Sequence, residues 1–150
     1  MEDNFMNEAI IEAKKALELE EIPVGAVIVK DNKIIARAHN LKERLNDPTC
    51  HAEILAIKEA SKVLNSWRLT GCSMYVTLEP CPMCAGAIVQ SRLSKLYIGT
   101  FDERSGACGS VMNIVQNDFL NHWVDVKWTY EESCSILLQN FFKKKRSDNK

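Results

Sequence analysis

Two short stretches combine residue types that can do chemistry: His51-Ala52-Glu53 and Pro80-Cys81-Pro82-Met83-Cys84. Cysteines three positions apart at a helix start lie about 60° apart around the axis, so both sulfurs can face one point. A helix N-terminus adds positive potential and favours thiolates, the form that binds zinc. An imidazole nitrogen of His51 supplies a third ligand. His51 and Glu53 stand about 200° apart on a regular helix. Both face one site only if His51 sits at an irregular helix start, and Pro48-Thr49 just upstream is suited to one. Three good ligands without an evident fourth leave a position for water, the mark of a catalytic zinc site rather than a structural one. Glu53 is then a carboxylate that moves protons between that water and a substrate.

Other readings of the same residues compete. Cys81 and Cys84 after a strand could form a thioredoxin-like redox pair, a reading that His51-Ala52-Glu53 weakens. A structural zinc module wants a second ligand pair, and only Cys50, Cys108 and His122 are scattered candidates. Cys50, next to His51, reads as a small buried residue, and Cys72 and Cys134 as core or near-core. His39 and His122 read as surface or hydrogen-bonded histidines. Locally, Asn40 is a turn residue and Asp102 a solvated loop carboxylate. Trp67, Trp123 and Trp128 read as packing residues.

The elements that must position these groups follow from periodicity. Residues 4–19 place Phe5, Met6, Ala9, Ile10, Ala13, Ala16 and Leu17 on one helical face. Val24–Val29 and Lys33–Ala38 flank the turn pair Asp31-Asn32 as a hairpin. A helix carries Ile54, Leu55, Ile57, Ala60 and Leu64. Met74–Leu78 is a short buried strand, and Pro80 and Pro82 open a helix to about Gln90, Pro82 suiting its first turn. Lys95–Gly99 is a strand, Thr100–Ser110 a loop, Val111–Gln116 a short helix, Val124–Trp128 a strand and Glu131–Lys145 a last helix. Five strands with helices between the later ones predict a layered α/β fold with a mixed sheet.

The chain has 150 residues, 46% hydrophobic and 26% charged, with no repeat, linker or composition shift, so residues 1–150 read as one globular domain. Its formal net charge of −1 argues against a cationic coat for nucleic acid. That total hides an asymmetry. Residues 1–21 hold seven acids and two bases, and residues 141–150 five bases and one acid. Lys143-Lys144-Lys145-Arg146 reads as a solvated helix end, with contact to RNA phosphates the sharper alternative. The start, Met1-Glu2-Asp3-Asn4-Phe5, lacks a leader pattern, and no apolar run approaches the roughly 20 residues that span a bilayer. A cytoplasmic protein with no membrane contact is expected, and there six cysteines signal metal or packing rather than disulfides.

H-x-E followed by P-C-x-x-C is the signature of zinc nucleobase deaminases. Beyond it, the chain resembles the bacterial tRNA-specific adenosine deaminases of the cytidine deaminase-like superfamily over nearly its whole length. The resemblance is carried by Glu21-Ile22-Pro23-Val24-Gly25-Ala26-Val27, Asn40, Asp47-Pro48-Thr49, His51-Ala52-Glu53-Ile54, Tyr75-Val76-Thr77-Leu78-Glu79-Pro80-Cys81, Cys84-Ala85-Gly86-Ala87, Gly106-Ala107-Cys108-Gly109-Ser110 and Asn121-His122. It implies a three-layer α/β/α sandwich with a five-stranded mixed sheet and a homodimer. It implies one zinc ion per subunit, on His51, Cys81 and Cys84, with Glu53 the proton shuttle. The implied reaction turns the wobble adenosine in the anticodon stem-loop of an arginine tRNA into inosine and releases ammonia. Asn40 and the Ala52 backbone N–H are implied to contact the flipped base, and Asp102 the ribose of the preceding nucleotide. A free nucleobase deaminase acting on guanine or cytosine is the alternative enzyme, and a non-catalytic zinc RNA-binding module the alternative from another class.

Overall fold

The computed structural model describes residues 4–148, so the first three residues and the last two of the basic tail lie outside the described residues. In chain order the elements are α1 (Phe5–Glu18), β1 (Gly25–Lys30), β2 (Lys33–His39), α2 (Ala52–Leu64), β3 (Ser73–Val76), α3 (Pro82–Gln90), β4 (Lys95–Ile98), β5 (Asp125–Trp128) and α4 (Glu132–Asp148). The strands form one mixed sheet in the order β2-β1-β3-β4-β5. β1 pairs antiparallel with β2 and β3, while β3–β4 and β4–β5 are parallel.

Local chemistry explains the joints. Asp31 and Asn32 both adopt positive φ, 49° and 62°, as the tightest hairpin turn requires at its two central positions. Pro82 is the first residue of α3, where its missing N–H is no loss. Asn65 ends α2 in the left-handed region. Gly25 opens β1 directly beneath α1. A Cβ there would collide with the Ala9 carbonyl and the Ala13 amide, so the helix reaches the sheet only because the side chain is absent.

Side chains alternate across the strands and divide the core. Ala26 and Ile28 of β1, Met74 and Val76 of β3, and Leu96 and Ile98 of β4 face Ala52, Ala56 and Ala60 of α2 and Ala85, Ile88 and Val89 of α3. Tyr75 and Tyr97 point the other way, with rings stacked at 4.2 Å, against Met6, Ala9 and Ile10 of α1 and Cys134 and Leu137 of α4. This is the expected three-layer α/β/α sandwich. The alanine row of α2 brings that helix close to the sheet, so its N-terminus and that of α3 open side by side at the carboxyl end of β3.

Residues 111–116 differ from expectation, for they are not a helix. The chain doubles back through a bridge between Cys108 and Asn113. Val115 is fully buried while Val111 is 49% exposed, so the apolar spacing there serves a folded loop and not one helical face. Trp128 packs on the core. Trp67 and Trp123 are more than half exposed, 55% and 54%, and Trp67 instead carries the Arg68 guanidinium 4.3 Å from its ring centre.

Candidate active site

His51 is the N-cap of α2, with extended backbone at φ −80° and ψ 154°. This break from helical geometry lets His51 and Glu53 turn to the same place despite their two-residue spacing. Cys81 is the N-cap of α3, extended in the same way, and Cys84 lies one turn further on. Neither N-cap side chain caps its own helix; both are turned toward a common point.

The ligand atoms of His51, Cys81 and Cys84 all lie within 4.8 Å of one another. His51 Nδ1 stands 3.7 Å from Cys81 Sγ and 3.5 Å from Cys84 Sγ. A tetrahedral zinc centre, with bonds of about 2.3 Å to sulfur and about 2.05 Å to nitrogen, has S···N edges of about 3.6 Å. The donor set therefore fits zinc in both chemistry and spacing. The Cys84 thiol donates to Cys81 and brings the Cys81 pKa down to about 4, against burial and with help from His51. The same hydrogen bond, with burial, pushes the Cys84 thiol far up, and the Cys81 sulfur raises His51. The trio holds shared protons where a cation would sit, and a metal would displace them.

Glu53 is buried beside this trio, 4% exposed. Burial raises its pKa to about 7, and its own backbone N–H and nearby His51 offset this only in part.

The remaining sequence-predicted residues are placed less simply. Asn40 is buried, and its Oδ1 accepts the Ala52 N–H at 2.7 Å. That bond fixes the orientation of the amide and leaves Nδ2 as its outward donor. It also occupies the Ala52 N–H, so a base reaches this group only by sharing it with Asn40. Asp102 is a half-exposed loop carboxylate that also organises its own turn. Its Oδ1 accepts the Arg104 and Ser105 N–H groups at 3.0 and 3.3 Å, and its Oδ2 the Ser105 hydroxyl at 3.0 Å. Among the other cysteines Cys50, Cys72, Cys108 and Cys134 are buried, and all six are free. His39 Nδ1 lies 2.9 Å from Glu12 Oε1 and His122 Nε2 lies 2.6 Å from the Leu93 carbonyl, so both are hydrogen-bonded as expected.

Sequence reasoning missed two buried carboxylates that shape the loops around the site. Glu21, 1% exposed, accepts the Glu43 and Arg44 N–H groups at 3.0 and 2.6 Å and so sets the segment that leads from Asn40 to His51. Glu79 does the same for residues 102–110. The only signal in the sequence was an acid bordering an otherwise apolar, β-rich run.

A mixed sheet bearing a His/Cys/Cys cluster and a buried glutamate at two adjacent helix N-termini defines a deaminase of the cytidine deaminase-like class. The comparisons narrow this. The MafB19-like deaminase family matches residues 1–146. The tRNA-specific adenosine deaminase of Bacillus subtilis is 50% identical over 97% of this chain and 91% of its own length. That of Aquifex aeolicus is 51% identical over 96% and 95%. A solved structure described as part of studies of A-to-I editing by tRNA:A34 deaminases superposes with TM-score 0.86 at 42% identity, covering 89% of this chain and 98% of that one. Guanine deaminase from Bacillus subtilis, also 42% identical, reaches TM-score 0.62 over 65% of this chain and 62% of its own. The chain belongs to the MafB19-like deaminase family and, within it, to the tRNA-specific adenosine deaminases.

Proposed function

We propose that this protein hydrolyses the 6-amino group of the wobble adenosine in a tRNA anticodon loop, giving inosine and ammonia, with arginine tRNA the substrate the resemblance implies. One observation carries the chemistry: a buried carboxyl, Glu53, stands beside a His/Cys/Cys donor set. The tRNA relatives, matched over nearly the full length of both chains, support the substrate.

In this reading His51, Cys81 and Cys84 hold one zinc ion per subunit. Bound there, zinc would act as a Lewis acid and make water a nucleophile near neutral pH. Glu53 takes a proton from the attacking water at a carboxylate oxygen and hands it to N1 of the adenine. It then takes the second proton, from the new hydroxyl on C6, and delivers it to the departing amino group. Oxygen ends on C6 and nitrogen leaves as ammonia. Burial raises the proton affinity of Glu53 above that of an ordinary carboxylate, which suits it to hold a proton between the two transfers. Backbone N–H groups at the start of α3 stabilise negative charge on the incoming oxygen. Asn40 Nδ2 is the donor offered to the base edge. Asp102, with two oxygens and about four acceptor sites, has one left for a ribose hydroxyl after its three loop bonds.

The anticodon loop already exposes its bases, which limits the cost of drawing one into the pocket. Lys143–Arg146 at the end of α4 meets RNA phosphates. The same reading carries one domain over residues 1–150, a homodimer and a cytoplasmic location; no helix among the described residues is long and apolar enough to cross a membrane. Ammonia release is the test. An anticodon hairpin with adenosine at the wobble position is expected to yield ammonia, and free guanine and cytosine none. Release from a free base but not from the hairpin would overturn the assignment.

A further inference from the structure

Glu79 takes no part in the donor trio or the proton transfers, yet it is 2% exposed and sits between β3 and Cys81. Its Oε1 accepts the Asp102 N–H at 2.9 Å, and its Oε2 accepts the Cys108 N–H at 2.9 Å and the Ser110 N–H at 3.0 Å. The Ser110 hydroxyl also donates to Oε1. Four donors of one loop thus converge on a single carboxylate. These amides find no partner in a helix or a strand ladder, so the loop's shape depends on this side chain. A Cβ on Gly106 would be driven into the Glu79 carboxylate and the Asp102 carbonyl, so the glycine is required by how closely the loop wraps the acid.

The loop borders the reacting groups. Ala107 N–H donates to the Pro80 carbonyl at 2.9 Å, next to Cys81. Ala107 and Cys108 are buried. Glu103, Arg104 and Ser105, on the outer side of the same loop, are exposed. The inner run thus packs beside Cys81, and the outer run is open to a bound macromolecule.

We propose that Glu79 is a positioning residue of the deamination: by gathering the amides of Asp102, Cys108 and Ser110 it holds the 102–110 loop in the shape that binds the RNA. The proposal rests on the tRNA-deaminase reading above. Glutamine cannot replace it, because an amide has one acceptor oxygen and its NH2 would face an N–H, donor against donor. The carboxylate acts on substrate binding through the loop and touches no reacting atom.

The test compares wild type and Glu79→Gln, both zinc-loaded, on a wobble-adenosine hairpin. Expected are equal zinc content, a KM raised about tenfold, and a kcat within about threefold of wild type. Amide exchange at Cys108 and Ser110 is expected to quicken while Met74 and Val76 in β3 stay protected. A merely structural role would lower the active fraction, and with it the apparent kcat, at unchanged KM; that result would overturn the proposal. If Glu79→Gln does not fold, Ser110→Ala removes one of the four donors, and KM is expected to rise about twofold to threefold; an unchanged KM there overturns the proposal as well. A wild-type chain that left the hairpin unaltered would sink the functional reading instead, and exchange at Cys108 and Ser110 would still judge the clamp.

Discussion

Replacing Glu53 with glutamine should make the metal-free protein more stable and the enzyme inactive, and the two effects share one cause. The folded carboxyl titrates at about 7, against an ordinary value of 4.5, chiefly because burial penalises the anion. At about 1.4 kcal/mol per tenfold change in proton affinity, that rise corresponds to about 3 kcal/mol. The sign follows from linkage. A carboxyl whose folded pKa lies above its unfolded value destabilises the fold progressively as pH rises through 4.5, and in full above about 7. Glutamine is nearly isosteric and carries no charge to desolvate. The stability difference between Glu53→Gln and wild type, both stripped with chelator, should therefore be small near pH 4 and grow by about 3 kcal/mol by pH 8. Urea unfolding across that range measures it. The zinc-loaded variant should lose about 10²-fold to 10⁴-fold in kcat, the usual contribution of a general acid–base group. A stability difference that does not change with pH, or one that favours wild type at pH 8, would refute the account of Glu53.

Other perturbations have definite outcomes. Cys84→Ala should bind no stoichiometric zinc by elemental analysis; a full metal complement would contradict the ligand set. Asn40→Ala leaves the buried Ala52 N–H without its acceptor, which should cost about 1–3 kcal/mol in urea unfolding; a change under about 0.3 kcal/mol would mean that water replaces the amide. Glu12 is held below the ordinary carboxyl range: burial alone would raise it, but Lys15, His39 and Arg37 outweigh that penalty. Its depressed pKa contributes stability that is present above about 4.5 and lost as pH falls through the folded value. The acid-induced loss of stability in that window should therefore be shallower in Glu12→Gln than in wild type, and parallel curves would count against this role.

The donor trio and Glu53 were legible because metal chemistry constrains residue type and spacing together. Helix and strand periodicity was legible because each element buries one face: Ala52, Ala56 and Ala60 on α2, and Met74 and Val76 against Tyr75 on β3. What escaped was held by single side chains acting on distant backbone. Residues 111–116 carry helix-like apolar spacing, but the Cys108 and Ser110 N–H groups are taken by Glu79, 29 and 31 residues back in the chain. No local pattern encodes such a bond. Asn40 looked like a turn residue because its partner, the Ala52 N–H, lies 12 residues on. Asp102 is solvated as read, but its bonds to the Arg104 and Ser105 amides were not legible because any sequence supplies backbone N–H groups.

The most direct measurement of the central claim is nucleoside analysis of an anticodon hairpin incubated with the zinc-loaded protein, beside a hairpin whose only loop adenosine is moved one position from the wobble site. The account predicts inosine at the wobble position of the first hairpin and intact adenosine in the second. Unaltered adenosine in both, or equal conversion in the two, would contradict it.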